Sequence, residues 1–113
     1  MATDIHAKMR YVSSSAQKVR LVCDMVRNRS ANDALSLLRY TPKEAARVVH
    51  KLLTSAVSNA EENFGVSRDN LFVYQIFADE APTRKWRRFG ARGRFKPLLR
   101  RNSHITVILR ERE

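Results

Sequence analysis

With 113 residues, 43% of them hydrophobic, the chain has material for one domain around a single modest core. Its 22 Lys and Arg against 11 Asp and Glu leave a net charge of +11, so the expected partner is a polyanion, either nucleic acid or an anionic membrane surface. A lone cysteine, Cys23, excludes an internal disulfide and fits a reducing compartment, and no apolar run approaches the length of a membrane span.

The opening MATDIHAKMR has no apolar segment of a signal peptide, which makes a cytoplasmic location the expectation. Residues 5–12, IHAKMRYV, alternate strictly: Ile5, Ala7, Met9 and Tyr11 fall on one face, His6, Lys8 and Arg10 on the other. Period two predicts a half-buried strand with a basic outer face. In SSSAQKVRLVCDMVRN, Ser14 and Gln17 have the spacing of a capping box. Val19, Val22, Cys23 and Val26 follow at helical spacing, and Asn28 suits a left-handed stop. A second, short helix is expected over SANDALSLLRY, with Ser30 as cap and Ala31, Ala34, Leu35 and Leu38 as its apolar stripe.

A third helix is expected from Thr41 as cap, Pro42 in the first turn and Glu44 reaching back, in TPKEAARVV. Ala45, Val48, Leu52, Ala56 and Ala60 carry its face to about Asn63, and Gly65 ends it. The β-branched and aromatic run LFVYQIFA (71–78) reads as a buried strand. HITVILRE (104–111) reads as another, with Ile105, Val107 and Leu109 inward. No internal repeat is visible.

Between those strands lie some twenty-five residues where an antiparallel connection usually needs about two to five. Within them, TRKWRRFGARGRFKPLLRR (83–101) carries nine cations in nineteen positions and no acid, so the rest of the chain carries only +2. Either the strands run on as a long two-stranded ribbon or the segment is a disordered loop; an isolated ribbon is marginal in water and needs outside support. The cations are mostly Arg, which pairs bidentately with phosphate and stacks on bases. Trp86, Phe89 and Phe95 offer flat surfaces to unpaired bases, and Gly90 and Gly93 permit a tight reversal. Pro97 is expected to interrupt the ladder with a bulge or bend. A membrane-binding arm would show an amphipathic helix, which Gly90, Gly93 and Pro97 spoil. A general RNA-binding chaperone and an anionic-membrane binder remain the alternative readings. Lys8, Arg10, Lys18, Arg20, Arg27 and Arg29 form a second basic set that extends the footprint.

Catalytic chemistry finds no support. His6, His50 and His104 are scattered over separate elements without metal-ligand spacing, Cys23 sits on an apolar helical stripe, and the Glu61–Glu62 doublet reads as a solvated helix end. No cofactor, metal site or small-molecule substrate is expected.

Five runs then come together: SSAQKVRLV, SAVSNAEENFG (55–65), IFADEAP (76–82), ARGR (91–94) and RRNSHITVIL (100–109). In order and approximate spacing the chain resembles the bacterial-type ribosomal protein L-twenty-two family of the large subunit, over essentially its whole length. The resemblance implies an α+β fold: three helices packed on a small, three-stranded antiparallel sheet with a long protruding basic β-hairpin. The single domain 1–113 would comprise a globular part, 1–79 and 105–113, and an extended hairpin arm, 80–104. It implies a structural role in the large ribosomal subunit, binding its rRNA across several domains and assisting early assembly. The globular part would lie near the opening of the peptide exit tunnel. The hairpin tip would line the tunnel wall beside ribosomal protein L-four, facing the nascent polypeptide, with macrolide antibiotics binding nearby in the family and no membrane partner. By position and charge, the rRNA-binding residues would be Lys8, Arg10, Lys18, Arg20, Arg84, Lys85, Trp86, Arg87, Arg88, Arg94, Lys96, Arg100 and Arg101. Phe89, Gly90, Ala91, Arg92 and Gly93 would form the tip. Residues 86–90 depart from the family's usual apolar pair and Pro-Arg.

Overall fold

Alternation of apolar and polar residues draws two strands to opposite ends of the sequence, and three amphipathic helical stripes lie between them. The computed structural model describes the backbone of residues 4–89 and 95–112, and the side chains of all of these except 83–100. Strand β1 (Asp4–Val12) is followed by helices α1 (Ala16–Val26), α2 (Ala31–Arg39) and α3 (Glu44–Phe64). A short 3-10 turn (Arg68–Asn70) leads into β2 (Leu71–Phe89), and β3 (Phe95–Glu111) completes the set. The sheet is antiparallel with order β1-β3-β2, so the last strand lies in the middle and both others are edges. The expected α+β class, three helices on a three-stranded antiparallel sheet, is what the structure has.

One face of the sheet holds the core. Register places Ile5 opposite Leu109 and Leu109 opposite Val73; Ala7, Val107 and Ile76 form the next row, and Met9, Ile105 and Ala78 the third. Helices α1 and α3 lie on this face through Val19, Val22, Cys23 and Val26 and through Val49, Leu53, Ala56 and Val57, all essentially inaccessible. Small residues at Ala46, Ala56 and Ala60 let α3 approach closely. Helix α2 packs mainly on α3, burying Ala31, Ala34 and Leu38.

Several local expectations are corrected by the structure. Helix α1 is capped by Ser15, whose hydroxyl accepts from the Lys18 backbone N–H, one residue later than the Ser14–Gln17 box. The run Ser13–Ser15 offers three equivalent hydroxyls, and burial of Ala16 and Val19 decides among them. At α3, Thr41 is no cap: its hydroxyl donates to the Leu37 carbonyl at 2.7 Å, serving the end of α2, and the helix starts after Lys43 without a side-chain cap. Its buried face uses Val49 rather than Val48 and adds Leu53 and Val57. Tyr11 leaves the inner face of β1. A bulge between Met9 and Val12 gives Tyr11 a φ of 56° and 62% exposure, and Val12 turns inward instead. Residues 71–78 are buried on one face only, because a second bulge between Val73 and Gln75 turns Ile76 and Ala78 inward and leaves Phe77 at 40% exposure. Other expectations hold. Ser30 caps α2 through the Asp33 N–H, Asn28 takes a left-handed φ of 66°, and Gly65 ends α3 with the same φ.

Beyond Val12 and Ser103, β1 has no further partner, and β2 and β3 continue alone as a two-stranded ladder to Phe89 and Phe95. The ribbon, not the loop, is therefore the form of the connection. Its register slips between Ala81 and Arg84, the interval that holds Pro82 and Thr83, and runs without interruption past Pro97 opposite Arg87. The break expected at Pro97 is thus found nearer the root of the ribbon, between Ala81 and Arg84.

Candidate nucleic-acid interface

The ladder that leaves the core is a poor structure by its own chemistry. Register sets Arg84 opposite Arg100 and Arg88 opposite Lys96. Like charges directly opposite one another on paired strands are destabilising. The nineteen-residue segment supplies no acid to offset them. Arg84, Lys85, Trp86, Arg87, Arg88, Phe89, Lys96 and Arg100 all have backbone places on this ladder, while their side chains lie outside the described residues. The tip residues Gly90, Ala91, Arg92 and Gly93, and Arg94 beside them, lie outside the described residues altogether. Arg101, at the root of the ladder, is exposed.

The remaining predicted contacts divide between two surfaces. Lys8 and Arg10 stand exposed on the outer face of β1, opposite the helices. Lys18 and Arg20 are exposed on α1, but Arg20 is not a free cation. Its Nε donates to the Ala78 carbonyl at 3.0 Å. Arg27, two turns on, donates from Nη2 to the Ile76 carbonyl at 2.9 Å and from Nη1 to Asp24 at 2.6 Å. Next along the same edge, Val73 exchanges backbone hydrogen bonds with Asn28 and Arg29, each 2.9 Å. The free edge of β2 is thus closed by the end of α1 and two of its arginines, which answers the hazard of an open strand edge. Sequence reasoning treated both arginines as surface charge. Their spacing of seven marks one helical face, but only the fold shows that carbonyls face them.

The outer face of the sheet consumes some of its charges internally. Arg110 bonds Asp4 and lies over the Tyr74 ring at 3.4 Å, and Arg112 lies over Phe72 at 4.8 Å. That hydrogen bond from Arg110 holds the Asp4 carboxyl below its ordinary range and the guanidinium above its own. Tyr11 donates its backbone N–H to His104 Nδ1 at 3.1 Å and meets the imidazole edge-to-face. That bond makes Nδ1 an acceptor and leaves the ring proton on Nε2. Cys23 is fully buried and burial pushes its thiol up to about 11, so it is a packing residue. Among the described residues no cluster of His, Cys, Asp or Glu could hold a metal ion. Nor is any described helix long and apolar enough to cross a membrane.

A second basic feature escaped the sequence reading. Between β1 and α3 runs an open groove of about 460 Å³ lined by His6, Lys8 and Met9 on one wall and Lys51, Ser55 and Asn59 on the other. Its sequence signal is polar residues every fourth position along α3, within a helix otherwise noted for its apolar stripe.

Comparison with known proteins decides the family. The family model described as ribosomal protein L22p/L17e matches residues 7–110, which is nearly the whole chain. The chain belongs to the ribosomal protein L22p/L17e family. Relatives named large ribosomal subunit protein uL22 are similar throughout. That of Thermoanaerobacter sp. (strain X514) is 46% identical over 110 residues, covering 97% of this chain and 99% of the relative. Those of Clostridium kluyveri and Finegoldia magna are 47% and 44% identical over 104 residues, each covering 92% of this chain and, respectively, 94% and 93% of the relative. Proteins of the L22p/L17e family are structural and non-enzymatic.

Proposed function

We propose that this chain is a structural constituent of the large subunit of the cytoplasmic ribosome, and that its β2–β3 ribbon is an rRNA-binding arm. The observation that carries the reading is the ladder itself: a two-stranded extension with cation set opposite cation in register, an arrangement that a surrounding polyanion relieves. RNA does so by supplying phosphates to the arginines and unpaired bases to the aromatic positions. The chain divides in use between a globular part, 1–79 and 105–113, and the arm, 80–104. The globular part sits near the opening of the exit tunnel and contributes Lys8, Arg10, Lys18 and Arg20. Arg84, Lys85, Trp86, Arg87, Arg88, Arg94, Lys96, Arg100 and Arg101 anchor the arm across several rRNA domains. This bridging assists early assembly. Residues 89–93 reach the tunnel wall beside ribosomal protein L-four and meet the nascent polypeptide.

A photo-crosslinking amino acid in place of Arg92, in subunits assembled in the cell, tests the placement. Crosslinks to rRNA and to a stalled nascent chain are the expected result. Crosslinks to rRNA alone would leave an RNA-binding arm and remove the tunnel wall.

A further inference from the structure

The two edges of the sheet are finished differently. On β2, Val73, Ile76 and Ala78 spend their outward backbone groups on the end of α1 and its arginines. Their β3 partners Leu109, Val107 and Ile105 therefore turn N–H and C=O the other way, toward Ile5, Ala7 and Met9 of β1. Alternation then aims the N–H and C=O of His6 and Lys8 out of the sheet, at the free edge of β1. Among the described residues, no hydrogen bond takes those groups up. The groove beside them is bounded by α3 through Lys51, Leu52, Ser55 and Asn59. Its floor is unfinished core. Ala7 and Met9 belong to the inner rows yet stay partly exposed, while Val107 and Ile105 in the same rows are sealed.

We infer that β1 is a strand-addition site: an extended segment of another polypeptide, with apolar and acidic residues alternating, pairs with the His6–Lys8 edge and fills the groove against α3. Backbone chemistry selects the occupant. Donors and acceptors alternate along the edge, which a peptide answers group for group. A phosphate offers acceptors alone, so it would meet the N–H groups and repel the carbonyls. Side chains set the composition. Every second residue of an added strand faces inward, over Ala7, Met9 and Leu52, and apolar groups suit that place. No acid lines the groove, and its rim is basic: His6 and Lys8 on β1, and Lys51 on α3, one turn after the exposed Arg47. Acidic residues in the partner match that rim. A second copy of this chain does not, since its β1 would bring the row His6, Lys8 and Arg10 against the same row. The pairing uses the backbone of Lys8, so it leaves the side chain to the outer face. It needs neither RNA nor the arm.

The test keeps the full chain. Hydrogen exchange of the free protein, followed by NMR, should find the Ile5 and Ala7 amides protected and those of His6 and Lys8 exchanging at least about 100-fold faster. Protection of His6 and Lys8 in the free chain would overturn the open edge. A photo-crosslinking amino acid is then placed at Ser55 in cells, and the crosslinked products are mapped by mass spectrometry. One polypeptide segment of alternating apolar and acidic residues is the expected product. Lys8→Pro deletes an outward N–H and spares the ladder to β3, so it should cut that crosslink roughly tenfold. Lys51→Glu leaves the backbone untouched and should weaken the crosslink about threefold or more; it decides the matter if Lys8→Pro lowers Tm enough to unfold the chain. Crosslinks to RNA alone, to a second copy alone, or to nothing would overturn the inference. So would a polypeptide crosslink indifferent to Lys51→Glu. Each of these outcomes leaves the rRNA-binding reading of the arm to its own test at Arg92.

Discussion

Arg20 and Arg27 carry two roles that one substitution series separates. Each donates to a carbonyl on the free edge of β2, Arg20 to Ala78 at 3.0 Å and Arg27 to Ile76 at 2.9 Å. Hydrogen bonds from charged donors contribute about 1.5–3 kcal/mol when well shielded. The Arg27 side chain is 41% exposed, and an exposed charge realises less of that. Arg27→Ala should therefore cost about 1–2 kcal/mol and Arg20→Ala about 1 kcal/mol, with near-additivity because the acceptors are separate carbonyls. For a chain of this size each kcal/mol lowers Tm by about 4 °C, so the double variant should melt about 8–12 °C below the parent. The informative variant is Arg20→Lys. Lysine keeps the charge that RNA reads and loses the planar Nε donor that Ala78 receives. Stability should fall by about 1 kcal/mol in urea titration while the salt slope of rRNA binding stays within about 0.3 of the parent. Retention of full stability in both Arg20→Lys and Arg27→Lys would refute the edge-closure argument. Loss of RNA affinity without loss of stability would return Arg20 to the purely RNA-facing role the sequence suggested.

Other predictions follow from buried groups and backbone geometry. The Cys23 thiol has its folded pKa raised from about 9 to about 11, so its contribution is intact below about pH 9 and is lost as pH rises through 11. Subtracting the pH–stability curve of Cys23→Ala from that of the parent should expose this decline; the folded parent should also resist iodoacetamide at pH 8 and react once unfolded. Ser103 is fully buried with an Oγ that has no hydrogen-bond partner, between the bulge at Val12 and Glu80. Ser103→Ala should leave stability unchanged or raise it by up to about 1 kcal/mol, measured by chemical denaturation. Asn28→Ala should cost about 1–2 kcal/mol because φ is 66° there, whereas Asn28→Gly should stay within about 0.5 kcal/mol of the parent in the same titration.

What the sequence revealed and what it hid divide along the range of the interactions. Period two in residues 104–111, the stripe Val19–Val22–Cys23–Val26 and the glycine after α3 depend on neighbours within a turn or a strand, and each was legible. The caps were less so. A serine triplet leaves the cap of α1 open by one residue, and Thr41 was claimed by the helix before it rather than the one after. Bulges were invisible, because an extra residue in β1 or β2 changes which side chain turns inward without changing composition: Tyr11 and Phe77 came out, Val12 and Ile76 went in. Proline itself did not locate the slip in the ribbon; Pro97 keeps register, and the slip lies between Ala81 and Arg84. The arm was recognised from its charge, yet the opposition of Arg84 to Arg100 and of Arg88 to Lys96 required the register. The two arginines of α1 and the β1–α3 groove are tertiary features, made by elements some fifty residues apart.

The central claim, a structural protein held in the large subunit by an RNA-bound arm, is tested most directly by sedimentation. Tagged protein from its own cells is run on a sucrose gradient after a high-salt wash of the ribosomes, and its copies per particle are counted. An arm enclosed by rRNA predicts near one copy per large subunit, retained through the wash. Release by the wash, or sedimentation with free RNA or with membranes, would contradict it.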